Sequence, residues 1–165
     1  MTKRVKTILA ISAATLILEG CARNPNPVAA GQTQKVHLVW HKTGQYWKVK
    51  LNDGGEEDPK TATTKLDKGV GATMFEVDIQ GADSNSISFK SDGGLSVWEG
   101  DKSAPKSGIN STQILGPVID KHGNLIFWDL NLGNPVILSY SIAFDNGVPT
   151  VDPIVDNGGG GTNRQ

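Results

Sequence analysis

The chain has 165 residues, 16 Lys and Arg against 17 Asp and Glu, 20 glycines and one cysteine. That length suits one domain with tails, and a net charge of −1 leaves no cationic surplus to neutralise phosphates, so no nucleic-acid partner is expected. A lone cysteine excludes an intramolecular disulfide and a Cys-based zinc site.

Lys3, Arg4 and Lys6 precede an uncharged run at residues 7–18, TILAISAATLIL. Such a run is too short to span ~30 Å of hydrocarbon at ~1.5 Å per residue, but it has the layout of a secretory signal. It ends at Leu18-Glu19-Gly20-Cys21, immediately before the stretch ARNPNPVAAGQTQ. This tetrad resembles the lipobox of bacterial lipoproteins. The resemblance implies that residues 1–20 are removed and that Cys21 becomes the acylated first residue, the point of membrane attachment. Glu19 departs from the family pattern, which has a small neutral residue there. An ordinary signal peptide followed by an incidental cysteine is the alternative. Ala22 stands where inner-membrane lipoproteins carry Asp, so the resemblance implies an outer-membrane protein facing the periplasm in a Gram-negative host. Acyl chains contribute ~0.8 kcal/mol per buried CH₂ and need no transmembrane helix beside them. Loss of three basic residues and Glu19 moves the formal charge from −1 to −3, which disfavours a basic-patch attachment to anionic lipid. Residues 21–34 read as a tether.

From residue 35 the hydrophobic period is two, the signature of strands. In KVHLVWH, Val36, Leu38 and Trp40 share a face; in YWKVKL, Trp47, Val49 and Leu51 point in while Tyr46, Lys48 and Lys50 point out. TMFEVDIQ sets Phe75, Val77 and Ile79 against Glu76, Asp78 and Gln80, the pattern of a sheet with one wet face. Ile87 with Phe89, then Leu95 with Val97, repeat it briefly. LIFWDLNL groups Ile126, Trp128, Leu130 and Leu132, while Leu125 and Phe127 begin the other face, the pattern of a central strand covered on both sides at one end. VILSYSIAF sets Val136, Leu138, Tyr140, Ile142 and Phe144 inward and Ile137, Ser139, Ser141 and Ala143 outward. Gly, Asn, Asp and Pro clusters punctuate every junction. The expectation is an all-β fold, a two-sheet antiparallel β-sandwich of seven or eight strands over residues 35–157, followed by a glycine-rich tail at 158–165. Two long loops, 54–71 and 100–111, are natural recognition surfaces.

The succession LIFWDLN, LSYSIAF and VDPIVDNGG is similar to the ending of small bacterial proteins with a cupredoxin-like sandwich. It covers about a quarter of the chain. Copper cupredoxins hold their metal with two His and a Cys near the carboxyl end. Nothing after Cys21 is a cysteine and nothing after His122 is a histidine, so the resemblance implies the scaffold without its metal. An immunoglobulin-like arrangement is the other expectation for the sandwich.

Candidate chemical groups are few. His37 and His41 share a strand face but lie about 13 Å apart at ~3.3 Å per residue, too far to hold one ion. His122 falls in a turn. Glu56, Glu57 and Asp58 with Asp53 have the donor type for Ca²⁺ but not an EF-hand spacing. Asp129, inside FWDLN, is either structural or the centre of an unrecognised carboxylate site. Asp145, Asp152 and Asp156 fit turn hydrogen bonds. No Gly-x-Ser-x-Gly, Ser-x-x-Lys or His-Glu-x-x-His motif occurs. No catalytic residue, metal site or cofactor is therefore expected. Trp98 and Tyr46, both outward by alternation, are the candidate binding residues, as platforms for sugars or anchors for a protein unless loops cover them. The expected function is a non-enzymatic, lipid-anchored envelope protein with a protein-binding or structural sandwich. The alternatives are a sugar- or small-ligand-binding module, a toxin inhibitor, and an enzyme built around Asp129.

Overall fold

The computed structural model describes residues 31–66, 71–81, 84–91, 94–100, 106–132, 136–152 and 154–156. The signal segment, Cys21, most of the tether, Pro135 and the glycine-rich tail lie outside the described residues.

Ten strands form among the described residues: β1 (Gln32–His41), β2 (Tyr46–Leu51), β3 (Thr63–Lys65), β4 (Thr73–Gln80), β5 (Leu95–Glu99), β6 (Ile109–Asn110), β7 (Ile114–Ile119), β8 (Leu125–Asp129), β9 (Ile137–Ile142) and β10 (Ile154–Asp156). They make two five-stranded sheets, ordered β2-β1-β4-β8-β7 and β3-β10-β9-β5-β6. Buried side chains from both sheets share one core. The all-β sandwich expected from alternation is thus the fold. Among the described residues no helix is long and apolar enough to cross a membrane.

Three details differ from the expectation. The sheets are mixed, because β1 pairs parallel with β4, β10 with β3, and β5 with β6. Alternation reports which face a side chain takes and carries nothing about the direction of the neighbouring strand. The strand count exceeds eight because β3 and β6 lie inside the segments expected to be loops and β7 and β10 fall where the sequence shows no alternating run, whereas Ile87 to Phe89 form no strand and only Phe89 makes an isolated bridge, to Phe144. Strand β1 also begins at Gln32, three residues before the expected domain boundary, where Gln32 Nε2 donates to Thr73 Oγ1 at 2.9 Å.

The inward sets otherwise follow the period of two. Val36, Leu38, Val49, Phe75, Val77, Leu125 and Ile142 are all fully buried, and Phe75 stacks on Phe127 at 4.8 Å between ring centroids. Strand β8 is a central strand covered on both sides, as its apolar run implies. Leu125 and Phe127 belong to the core cluster, whereas Ile126 and Trp128 are buried outside it and Leu132 is 60% exposed. Five consecutive buried residues are the mark of a strand covered on both faces, and such a strand loses the alternation that would reveal its inner side.

Candidate functional site

The most developed surface feature is the turn joining β1 to β2. Gln45 N–H returns to the Lys42 carbonyl at 3.3 Å, with Gln45 itself in the left-handed region at φ 52°. This closes the hairpin so that His41 and Tyr46 become its last cross-strand pair. Residues directly opposite share a face, and here the two rings stack with centroids 4.8 Å apart and planes 9° from parallel. His41 Nε2 lies 3.0 Å from Glu56 Oε2, within hydrogen-bond distance. Lys48 Nζ stands 6.0 Å from the Tyr46 ring centroid, at the outer limit for a cation–π contact. Gly44 completes the seat: a Cβ there would come within 2.6 Å of Tyr46 Cδ1 and Cε1. Tyr46 is nonetheless 46% exposed.

Tyr46 forms a wall common to two depressions. One, of about 470 Å³, is bounded by His41, Lys42, Gly44 and Gly81. Gly81 is required there, since its φ is +110° and a Cβ would meet the Trp40 carbonyl oxygen at 2.5 Å. The other, of about 600 Å³, lies between β2 and two segments, Asp58 to Lys60 and Pro149 to Asp152. Its inner side is Trp47, which donates its indole N–H to the Pro149 carbonyl at 2.8 Å. Behind Trp47 runs a column of rings: Trp40 at 4.8 Å, Phe144 at 4.5 Å, and Phe89 against Phe144 at 5.6 Å. This column belongs to the core face of the hairpin, and the Tyr46–His41 pair stands on its opposite, outer face.

The remaining candidates sit elsewhere. Trp98 is 2% exposed, so it presents no surface to a ligand; it is absent from the core cluster, which agrees with an outward position that has been covered. His37 points outward as expected, its Nδ1 2.6 Å from Asp78 Oδ1, while Gln80 Nε2 donates to Asp78 Oδ2 at 3.1 Å. The two histidines thus have separate carboxylate partners. Glu56, Glu57 and Asp58 do not converge: Glu56 holds His41, Glu57 pairs through its backbone with Val49, and the Asp58 carboxylate accepts Lys60 N–H at 2.8 Å. Asp129 is fully buried, with Oδ1 accepting the Asn131 N–H at 2.9 Å and thereby holding Asn131 at φ 46°. His122 is an exposed turn residue whose N–H goes to Asp120 Oδ1 at 2.8 Å. Among the described residues no three His, Cys, Asp or Glu side chains are grouped to hold a metal ion.

Sequence alternation gives the outward position of Tyr46, but not His41 and Glu56 as its neighbours. His41 was legible only as polar, and Glu56, 15 residues away, reaches it through a loop whose path no local pattern encodes. No protein-family model matches the chain, and no curated protein matches it either.

Proposed function

We propose that the chain is a non-enzymatic envelope lipoprotein, anchored through Cys21 to the periplasmic side of the outer membrane, whose sandwich binds a partner protein through the Tyr46–His41 surface. The observation that carries this reading is the position of that surface relative to the tether. Strand β1 starts at Gln32, eleven residues after Cys21, and ends at His41 beside Tyr46. Ten extended residues place the hairpin about 30 Å from the tethered end of the sandwich. A chain held at Cys21 then displays Tyr46 away from the bilayer. An exposed aromatic seated on a fixed partner ring, beside concave surface, is what protein hot spots use, because little rotamer freedom remains to be lost on binding.

Two measurements test it. Cys21→Ser is expected to move the protein from the membrane fraction to the soluble periplasm; a variant that still pellets after a salt wash contradicts the anchor. A photo-crosslinking residue at position 46 is expected to capture a defined envelope protein. The same residue at position 132, near the tethered end, is expected not to.

A second reading rests on the same exposed ring. Tyr46 flanked by Lys48, Lys60, Asp58 and Asp152 offers a stacking face with donors and acceptors around it, the chemistry that recognises a pyranose. Trp47 lines that depression, so glycan binding there is expected to change the tryptophan fluorescence.

A further inference from the structure

We infer that the partner's contact segment is an extended peptide, which adds to the free edge of β2 by forming a β-bridge with the backbone of Trp47. This inference rests on the protein-binding reading above and specifies the mode of binding. Strand β2 is an edge strand of its sheet. Along an antiparallel ladder, successive residues turn their N–H and C=O groups to opposite sides. Asn52 N–H goes to the Lys35 carbonyl at 2.7 Å, toward β1. Val49 instead exchanges both of its bonds with Glu57 on the outer side, at 3.0 and 2.8 Å. By the same alternation Trp47, two residues before Val49, directs its N–H and C=O outward as well. Among the described residues neither group has a hydrogen-bond partner there.

The reason lies in the loop. The Val49–Glu57 bridge is antiparallel, so its continuation would set Pro59 against Trp47. Proline has no N–H to give. The loop turns at Asp58, whose carbonyl accepts the N–H groups of Thr61 and Ala62, both at 2.9 Å. Glu57 therefore covers one rung of the edge, and the next, whose residue Trp47 is 5% exposed, borders the depression of about 600 Å³. A donor and an acceptor at strand spacing are matched by the backbone of an extended chain. Pro59 and Pro149 border the remaining space with Tyr46, so side chains flanking the bridge meet apolar and aromatic surface. Lys48, Lys60, Asp58 and Asp152 provide charges of both signs at its margins, which suits a segment of low net charge.

The test uses the full-length chain in detergent micelles and peptides selected on it from a random library. A selected peptide is resynthesised with each backbone N–H methylated in turn. The expected result is that methylation at one position weakens binding about tenfold or more, that methylation of its immediate neighbours is tolerated, and that exchange of the Trp47 amide hydrogen slows in the complex. Tyr46→Ala is expected to weaken the same peptide. Uniform tolerance of methylation with unchanged Trp47 exchange overturns the strand pairing; if Tyr46→Ala still weakens the peptide, the protein-binding reading stands. Selection of no peptide, while position 46 still crosslinks to an envelope protein, overturns the inference alone. Failure of both, with a saccharide perturbing Trp47, overturns both.

Discussion

Trp47 and Pro149 are 102 residues apart, yet the indole N–H of one meets the carbonyl of the other at 2.8 Å. The bond joins an edge strand of one sheet to the segment that precedes β10 in the other. It joins two walls of the larger depression, so the shape of that depression depends on a part-buried contact between the sheets.

Removing that bond separately from the packing distinguishes the two contributions. Trp47→Phe keeps an aromatic ring against Trp40 and Phe144 but leaves the Pro149 carbonyl without its donor, and is expected to cost about 1–2 kcal/mol. Trp47→Ala also removes the packing and is expected to cost about 3–5 kcal/mol. Urea midpoints measure both. Equal midpoints for the two variants would show that the ring contributes nothing beyond its N–H.

The register of β9 is open to a sharper test. Ile142 is fully buried opposite Leu95, and Ser141 beside it is half-buried on the outer face. Ile142→Asp buries a carboxylate without a partner and is expected to cost several kcal/mol, comparable with a total stability of ~5–15 kcal/mol. Ser141→Asp is expected to shift the urea midpoint only slightly. Similar shifts for both would contradict the assigned faces.

Alternation revealed the faces of β1, β2, β4 and β9 because in each an apolar set faces the core and a polar set faces out. It failed where that contrast is missing. On β8 every residue is buried, so the apolar run shows a strand covered on both sides but not which set, Ile126 with Trp128 or Leu125 with Phe127, joins the core. Trp98 was placed on the correct face, but its burial depends on what lies over it, which its own strand does not encode. The parallel pairing of β1 with β4 is a property of the path between them. The supports of Tyr46 were illegible for a related reason: Glu56 and Gly44 act through a loop path and a missing Cβ. Gly44→Ala is accordingly expected to displace the Tyr46 ring from His41 and weaken any ligand of that surface, with little change in urea midpoint.

The β7–β8 turn makes a prediction about acid. Desolvation is the largest single influence on Asp120 and pushes its carboxyl pKa up, but hydrogen bonds from the backbone N–H groups of Asn124 and His122, with further help from the His122 charge and the Asn124 side chain, outweigh it. The net pKa lies below 3.8. A carboxyl depressed in the folded state stabilises the fold above its unfolded pKa, and that contribution is lost as pH falls through the folded value. Asp120→Asn is therefore expected to lower the urea midpoint at pH 7, and the gap from the parent is expected to close below about pH 3.8. A gap that persists unchanged at pH 3 would show that the turn depends on geometry and not on charge.

Tyr140 behaves in the opposite sense. Its ring lies in the core, edge-on to Phe127 at 5.8 Å, and its hydroxyl is buried with no hydrogen-bond partner among the described residues. Burial pushes the phenol pKa well above its ordinary value of 10.0, because the phenolate would lose its hydration without gaining a donor. The folded chain therefore holds this proton more tightly than the unfolded chain does. The resulting stability is complete below pH 10.0 and is lost as pH rises beyond it. Tyr140→Phe removes both the unpartnered hydroxyl and the titration. At pH 7 the variant is expected to match the parent or exceed it by up to about 1 kcal/mol, and above pH 10.0 its advantage is expected to widen with each further step in pH. Urea midpoints at neutral and alkaline pH decide this. A loss of stability at pH 7 would mean that the hydroxyl has a partner, and an advantage that does not grow with pH would mean that the proton on Tyr140 is not linked to folding.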